Sequence, residues 1–287
     1  DLIINITKAV ACGNRIQKVL EVEPSMENGS KECIEEKRTP ANAVDFNHVS
    51  LTYSGAGAPS LTDIDLHVKT GQTIGIIGGT GSGKTSVVNL IPRFYDATQG
   101  TVRIDGQDIR SYSQQTLRQK IGVVPQRAAL FKGTIRENMK WGRDDATDAE
   151  IWDALTTAQA REIVEGKDGQ LDFRLEQNGR NLSGGQRQRL TIARALVKKP
   201  RVLILDDSAS ALDYATDAAL RKAIRQMEGA PTVFIVSQRT SSLMSADRIL
   251  VLDDGEATGY GTHEELLKNC QTYREIYNSQ YGKKEEA

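Results

Sequence analysis

The chain has 287 residues, 37 basic and 38 acidic, with a formal net charge of −1. That length allows one large or two modest domains with a full core. The balanced charge offers no bulk attraction for nucleic acid. At 5% aromatics a stacking platform for single strands is not expected, and no apolar run reaches the ~20 residues of a membrane span. Three scattered cysteines, Cys12, Cys33 and Cys270, form no CxxC pair or Cys/His cluster, so a reduced setting is expected rather than a disulfide framework or zinc site.

The first residue is Asp1 rather than Met, which fits a fragment of a longer chain. Residues 1–22 begin with the apolar Leu2-Ile3-Ile4, and Ile6, Ala9/Val10, Ile16 and Val19/Leu20 follow at helical spacing. Two readings stay open: the tail of a helix belonging to a truncated membrane domain, or an ordinary amphipathic helix. Residues 23–42 are polar and charged, with Pro24, Pro40 and Asn28-Gly29-Ser30, and read as a linker.

From residue 43 to 282 the pattern is that of one folded domain. Val44 and Phe46, then Val49, Leu51 and Tyr53, predict a strand whose phase slips near His48, as at a bulge. Ile64, Leu66 and Val68 predict a second strand. Four apolar runs, Thr73–Ile77, Ile121–Val124, Val202–Leu205 and Thr232–Val236, predict strands buried on both faces. Helical patterns over Thr85–Ile91, Gln114–Lys120, Gly184–Val197 and Thr216–Met227 separate them. That alternation predicts an α/β domain with a largely parallel core sheet. Between about 126 and 200 strand signals fade, and an inserted helical subdomain is expected. Arg248–Asp253, Asp254-Gly255 and Thr262–Asn269 read as strand, turn and helix. Residues 283–287 are a charged tail.

Gly78, Gly79, Thr80, Gly81, Ser82, Gly83, Lys84 and Thr85 fit Gly-x4-Gly-Lys-Ser/Thr, between a predicted strand and a predicted helix that opens with Thr85 and Ser86. Glycines let the backbone wrap a phosphate and aim N–H groups at it, and the helix start adds partial positive charge. Lys84 would reach the β- and γ-phosphates, and the Thr85 hydroxyl would hold Mg2+. Four apolar residues then deliver Asp206 to the carboxyl end of a buried strand, where it would bind Mg2+ through water. Leu182, Ser183, Gly184, Gly185 and Gln186 open another helix, capped by Ser183. One nucleotide does not need two such helix starts from one chain, which suggests that this one serves ATP held by another subunit.

Taken together, the phosphate loop, the Leu-Ser-Gly-Gly-Gln run with Arg187-Gln188-Arg189, and the acidic strand make the chain resemble the ATPase domain of an ABC transporter, most of all a bacterial ABC multidrug exporter. The resemblance spans about residues 43–282. It implies a P-loop NTPase (RecA-like) core with an antiparallel β subdomain and an inserted helical subdomain. It implies ATP and Mg2+ as ligands, hydrolysis coupled to drug, lipid or peptide efflux, and a place at the cytoplasmic face of the plasma membrane. It further implies Tyr53 stacking on adenine and Gln126 sensing Mg2+ and the attacking water. The segment Leu130 to Asn138 would border the surface that receives helices of the membrane-spanning domain. Ser210, Ala211, Leu212 and Asp213 would cross to a second ATPase domain. Two such domains would sandwich two ATPs, each between one phosphate loop and the other chain's Ser-Gly-Gly-Gln.

Three positions depart from that family's pattern. Asp207 stands where Glu usually orients the water, Gln238 where a switch histidine contacts the γ-phosphate, and Glu176-Gln177-Asn178-Gly179 where exporters often have Gly-Glu-Arg-Gly. Asp is one methylene shorter than Glu, so its carboxylate sits ~1–1.5 Å back, and ~1 Å of misplacement can cost about 100-fold. A positioned general base is worth ~10²–10⁴-fold, and Gln cannot carry the charge or proton of His. Tight Mg-ATP binding with slow hydrolysis is therefore expected at this chain's own site. That is the pattern of the degenerate subunit of a heterodimeric exporter, whose partner keeps its catalytic Glu. The alternatives are a non-catalytic regulatory ATP-binding module and a soluble ABC-type ATPase acting on nucleic acid or the ribosome. His48, His67 and His263 are read as structural or surface residues.

Overall fold

The structure, a computed structural model, describes residues 1–24, 26–30 and 42–281. Helix α1, Leu2–Leu20, buries none of its side chains, so its apolar positions face outward. Most of the expected linker, residue 25 and residues 31–41, lies outside the described residues, as do Cys33 and the 283–287 tail. The piece 26–30 is held: Asn28 Oδ1 accepts from the Gln114 N–H at 2.8 Å. Gly29 lies so close to the Ser111 and Tyr112 backbone that a Cβ would clash.

Strands β1, Asn42–Leu51, and β2, Leu61–Lys69, pair antiparallel, with register shifts between Phe46 and Val49. The slip expected near His48 is thus a bulge, with His48 at φ 49°. Its purpose is geometric: Val44, Phe46, Val49 and Leu51 all stay buried, which strict alternation would not permit. Next come β3, Thr73–Gly78, and α2, Lys84–Leu90. Strands β4, Gln99–Ile104, and β5, Gln107–Asp108, extend the antiparallel sheet to the order β2-β1-β4-β5. Neither was predicted, because turns bound the short apolar signal of Val102 and Ile104.

Helix α3, Gln114–Gln119, and β6, Ile121–Val124, follow. The helical region then holds α4, Ile135–Lys140, α5, Asp148–Thr157, α6, Arg161–Glu165, and α7, Gly184–Val197. It is not wholly helical: β7, Gly133–Thr134, pairs with β8, Arg174–Leu175. Capping boxes at Thr134/Glu137, Thr147/Glu150 and Ser183/Gln186 start three of these helices. The Arg136 guanidinium ties the region together by pairing with Asp148 and Asp172.

The core sheet is completed by β9, Val202–Asp206, β10, Thr232–Val236, β11, Arg248–Asp253, and β12, Glu256–Gly261, with α8, Tyr214–Arg225, between β9 and β10. Its order is β12-β11-β3-β10-β9-β6, parallel except for β12. After the Asp254-Gly255 turn the chain makes β12 before α9, His263–Asn269, and α10, Gln271–Tyr281. Helix α8 starts at Tyr214, ahead of the predicted Thr216, because the Asp213 side chain caps it by accepting from the Thr216 N–H.

Alternate residues of the core strands feed two cores. Ile74, Ile76, Ile204, Phe234 and Leu250 pack toward the antiparallel sheet, while Ile77, Leu203, Ile235 and Val251 pack toward the helical side. Burial on both faces explains why these strands read as continuous apolar runs. Parallel pairing brings the carboxyl ends of β3, β10, β9 and β6 to one edge, with Val236 in register with Asp206 and Val124 with Leu205. Crevices at that edge are where ligands sit in open α/β sheets.

Candidate nucleotide site

The phosphate loop joins β3 to α2 in a shape that demands glycine. A Cβ on Gly78 would run into the Leu252 carbonyl and Ser82 Oγ, and Gly83 sits at φ 95° as the residue that opens α2. Lys84 is only 8% exposed. Its ammonium donates to the carbonyls of Gly78 at 2.9 Å and Gly79 at 2.5 Å, with Ser82 Oγ at 3.5 Å. Burial pushes its pKa below the ordinary lysine range, while the charges of Asp206 and Asp207 oppose that push.

Asp206 ends β9 with its carboxylate facing the loop, 3.4 Å from Thr85 Oγ1. Burial raises its pKa, and the neighbouring Asp207 charge adds to that; the Thr85 hydroxyl and Lys84 pull the other way. Asp207 has φ 44°, and its N–H donates to the Val236 carbonyl at 2.9 Å. This turn aims its carboxylate across the sheet edge, where Gln126 Nε2, just past β6, donates to it at 3.2 Å. Thr80, Lys84, Gln126, Asp206, Asp207 and Gln238 line one cleft of about 160 Å3. Residues far apart in sequence therefore meet at one cleft. Thr85, Asp206 and Gln126 present hard oxygen donors of the kind Mg2+ takes, and few enough to leave room for phosphate and water.

A second cleft of about 480 Å3 continues from Lys84 and Ser86 past Ser60, Ala58 and Ala56. Tyr53 lies beyond the end of β1, half-buried, and its hydroxyl donates to Ser86 Oγ at 2.9 Å. Leu182 is buried, whereas Ser183 and Gly184, at the start of α7, are exposed. None of Leu182–Gln186 lines the phosphate-loop clefts. Gly185 instead faces the Ala211 carbonyl, so the signature run and the Ser210–Asp213 segment adjoin one another. Leu212 packs on the helical-side core.

Two contacts at this edge escaped sequence reasoning. Gln280 on α10 donates through Nε2 to the Gln238 carbonyl at 2.7 Å, and its Oε1 accepts from Thr240 N at 2.9 Å and Thr240 Oγ1 at 2.8 Å. Tyr95, after α2, packs edge-on against Tyr53 with ring centroids 4.8 Å apart. Neither belongs to a motif, so only the fold reveals them. On the helical region, exposed Phe131 and Trp141 stack with centroids 4.7 Å apart, and the Arg194 guanidinium lies over Phe131. Trp141, Glu137, Lys140, Arg143 and Lys198 line a larger cleft of about 840 Å3 on that surface. Its size does not make it the reaction centre, because it lacks the phosphate loop and the paired carboxylates.

The family model described as ABC transporter matches residues 61–210, which takes in the phosphate loop, the signature run and Asp206. The chain belongs to the ABC transporter family. An ABC transporter ATP-binding protein of Bacillus subtilis strain 168, YfiB, is 43% identical over 283 residues, covering 98% of this chain and 48% of that protein. A Staphylococcus aureus protein named as a multidrug export ATP-binding/permease protein is 39% identical over 237 residues, covering 83% of this chain and 41% of its own length. A solved structure described as a bacterial Atm1-family ABC exporter with ATP bound superposes with a TM-score of 0.87 at 31% identity, covering 96% of this chain and 48% of that one. The chain spans about half the length of the curated relatives it matches. Its fold is the ABC ATPase fold, as expected. Among the described residues no helix is long and apolar enough to cross a membrane.

Proposed function

We propose that this ABC ATPase domain binds and slowly hydrolyses ATP to drive an exporter. The convergence of Lys84, Asp206, Asp207 and Gln126 on one cleft carries the reading. Gly78–Ser86 cradle the phosphates through backbone N–H groups. The Lys84 ammonium exchanges the Gly78 and Gly79 carbonyls for β- and γ-phosphate oxygens. Thr85, Gln126 and Asp206 hold Mg2+, which supplies neutralisation of phosphate charge. Tyr53 carries the adenine. Asp207 accepts the proton of the attacking water, with Gln126 holding its carboxylate, and Gln238 faces the γ-phosphate as a neutral hydrogen-bonding group. The short carboxylate and the missing histidine make the site degenerate.

Leu182–Gln186 serve ATP bound by a second ABC ATPase domain, and Ser210–Asp213 contact that partner, which in a heterodimer supplies the catalytic Glu. The Phe131/Trp141 face takes helices of the membrane-spanning domain, of which α1 is the tail. On this reading the domain works at the cytoplasmic face of the membrane. Among drug, lipid and peptide cargoes, the relative named for multidrug export favours drugs. A second reading, a regulatory ATP-binding module without hydrolysis, draws on the same Asp207 and Gln238.

Steady-state Mg-ATP hydrolysis separates these readings, with Lys84→Ala as the blank. The double change Asp207→Glu with Gln238→His should raise turnover by at least ~100-fold over the native chain. Brisk turnover by the native chain would refute degeneracy. Native turnover equal to the blank, with no revival in the double change, would favour the regulatory module.

A further inference from the structure

Tyr95 lies outside every motif, yet its ring is placed with unusual constraint. Its loop is fixed from both sides. Arg93, 3% exposed and at φ 54°, pairs with Asp96 through Nε at 2.6 Å and Nη2 at 3.0 Å. Arg118 on α3 donates to the Pro92 carbonyl at 3.2 Å and the Arg93 carbonyl at 3.1 Å, and its guanidinium lies 5.3 Å from the Phe94 ring. This clamp presents Tyr95 to Tyr53 at an interplanar angle of 83°, the edge-to-face arrangement that aromatic pairs favour. Tyr53 is thus gripped at two places, its ring by Tyr95 and its hydroxyl by Ser86 Oγ at 2.9 Å. Ser86 belongs to α2, the helix that carries the phosphate loop into the domain.

We propose that Tyr95 is a positioning residue for the nucleotide base: it braces the Tyr53 ring so that the ring's orientation is set before the purine arrives. This rests on the reading of Tyr53 as the adenine platform. A surface tyrosine free to rotate would lose rotamer entropy on stacking. A braced one has already lost it in the folded protein, so more of the stacking energy appears as affinity. The brace touches neither phosphate nor Mg2+, so its effect should be confined to ligands that carry a base.

The test is calorimetric titration of the Tyr95→Ala, Tyr95→Phe, Tyr53→Ala and Tyr53→Ala/Tyr95→Ala proteins with Mg-ATP and with inorganic tripolyphosphate. Tyr95 is 44% exposed, so the single Tyr95 variants should fold. Tyr95→Ala is expected to weaken ATP about 2- to 10-fold, the range of one aromatic pair, and to leave tripolyphosphate unchanged. Tyr95→Phe keeps the ring and should restore native affinity. In the Tyr53→Ala background the Tyr95 change should have no further effect, because the brace acts only through that ring. Equal weakening of tripolyphosphate, or an undiminished Tyr95 effect without Tyr53, would overturn the proposal. If Tyr53→Ala weakens ATP while Tyr95→Ala does not, the brace alone falls. If Tyr53→Ala leaves ATP affinity intact, the adenine platform falls and the brace with it.

Discussion

Replacing Lys84 with methionine separates the cost of burying a cation from its use. In the resting fold the ammonium is buried and satisfied by the Gly78 and Gly79 carbonyls, and burial already depresses its pKa. Losing those charge-assisted bonds costs about 1.5–3 kcal/mol each at most. Methionine of similar length relieves a desolvation penalty of several kcal/mol. The two nearly cancel, so the nucleotide-free protein should melt within about 4 °C of native, on the scale of roughly 2–4 °C per kcal/mol for a chain of this size. On the proposed role, phosphate oxygens replace the carbonyls when ATP binds, and one such bond is worth about 1.5–3 kcal/mol, or roughly 10- to 150-fold in Kd. Calorimetric titration with Mg-ATP and thermal melts without nucleotide provide the two readings. If Lys84→Met binds ATP within about 3-fold of native, the lysine does not reach the phosphates. If instead the nucleotide-free protein melts far lower, Lys84 is a structural strut of the loop.

Asn138 is 1% exposed, and its amide accepts from Phe131 N at 2.8 Å while donating to the carbonyls of Phe131 and Thr134, each at 2.9 Å. Asn138→Ala leaves those backbone groups unpaired and should cost about 2–4 kcal/mol, seen as a melting point lower by roughly 5–15 °C; a drop under about 2 °C would show that the amide does not hold the Phe131 loop. For pH dependence, the raised pKa of Asp206 means that its carboxylate takes up a proton at higher pH than the ~3.9 of an ordinary Asp. If Asp206 holds Mg2+ as proposed, the ion competes with that proton, so magnesium-dependent ATP affinity should weaken on acidification more in the native protein than in Asp206→Asn. Parallel pH curves for the two proteins would remove Asp206 from the metal site.

Much of this protein was legible before any coordinates, because local chemistry and burial write directly into residue order. Thr73–Ile77, Val202–Leu205 and Thr232–Val236 are continuous apolar runs since both faces of the parallel sheet are covered, and in the phosphate loop close contacts impose Gly78 and left-handed φ imposes Gly81 and Gly83. The His48 slip was readable because a bulge must shift the alternation. Strands β4 and β12 were not readable. Each lies at or near a turn, and β12 has the pattern Glu-Ala-Thr-Gly-Tyr-Gly with little burial, so pairing rather than propensity makes it a strand. Helix α10 was missed because its one fully buried anchor, Tyr273, leaves no apolar stripe to count. The chemical groups were named by motif, but only the sheet order decided their meeting. Gln126, Asp207 and Gln238 are brought together because β6, β9 and β10 are neighbours with parallel carboxyl ends. Tyr95 and Gln280 carry no signal of their own, since what each contributes depends on which distant loop the fold sets within about 5 Å of it. Residue order decides what a segment can bury or bind, and tertiary structure decides which of those capacities face each other.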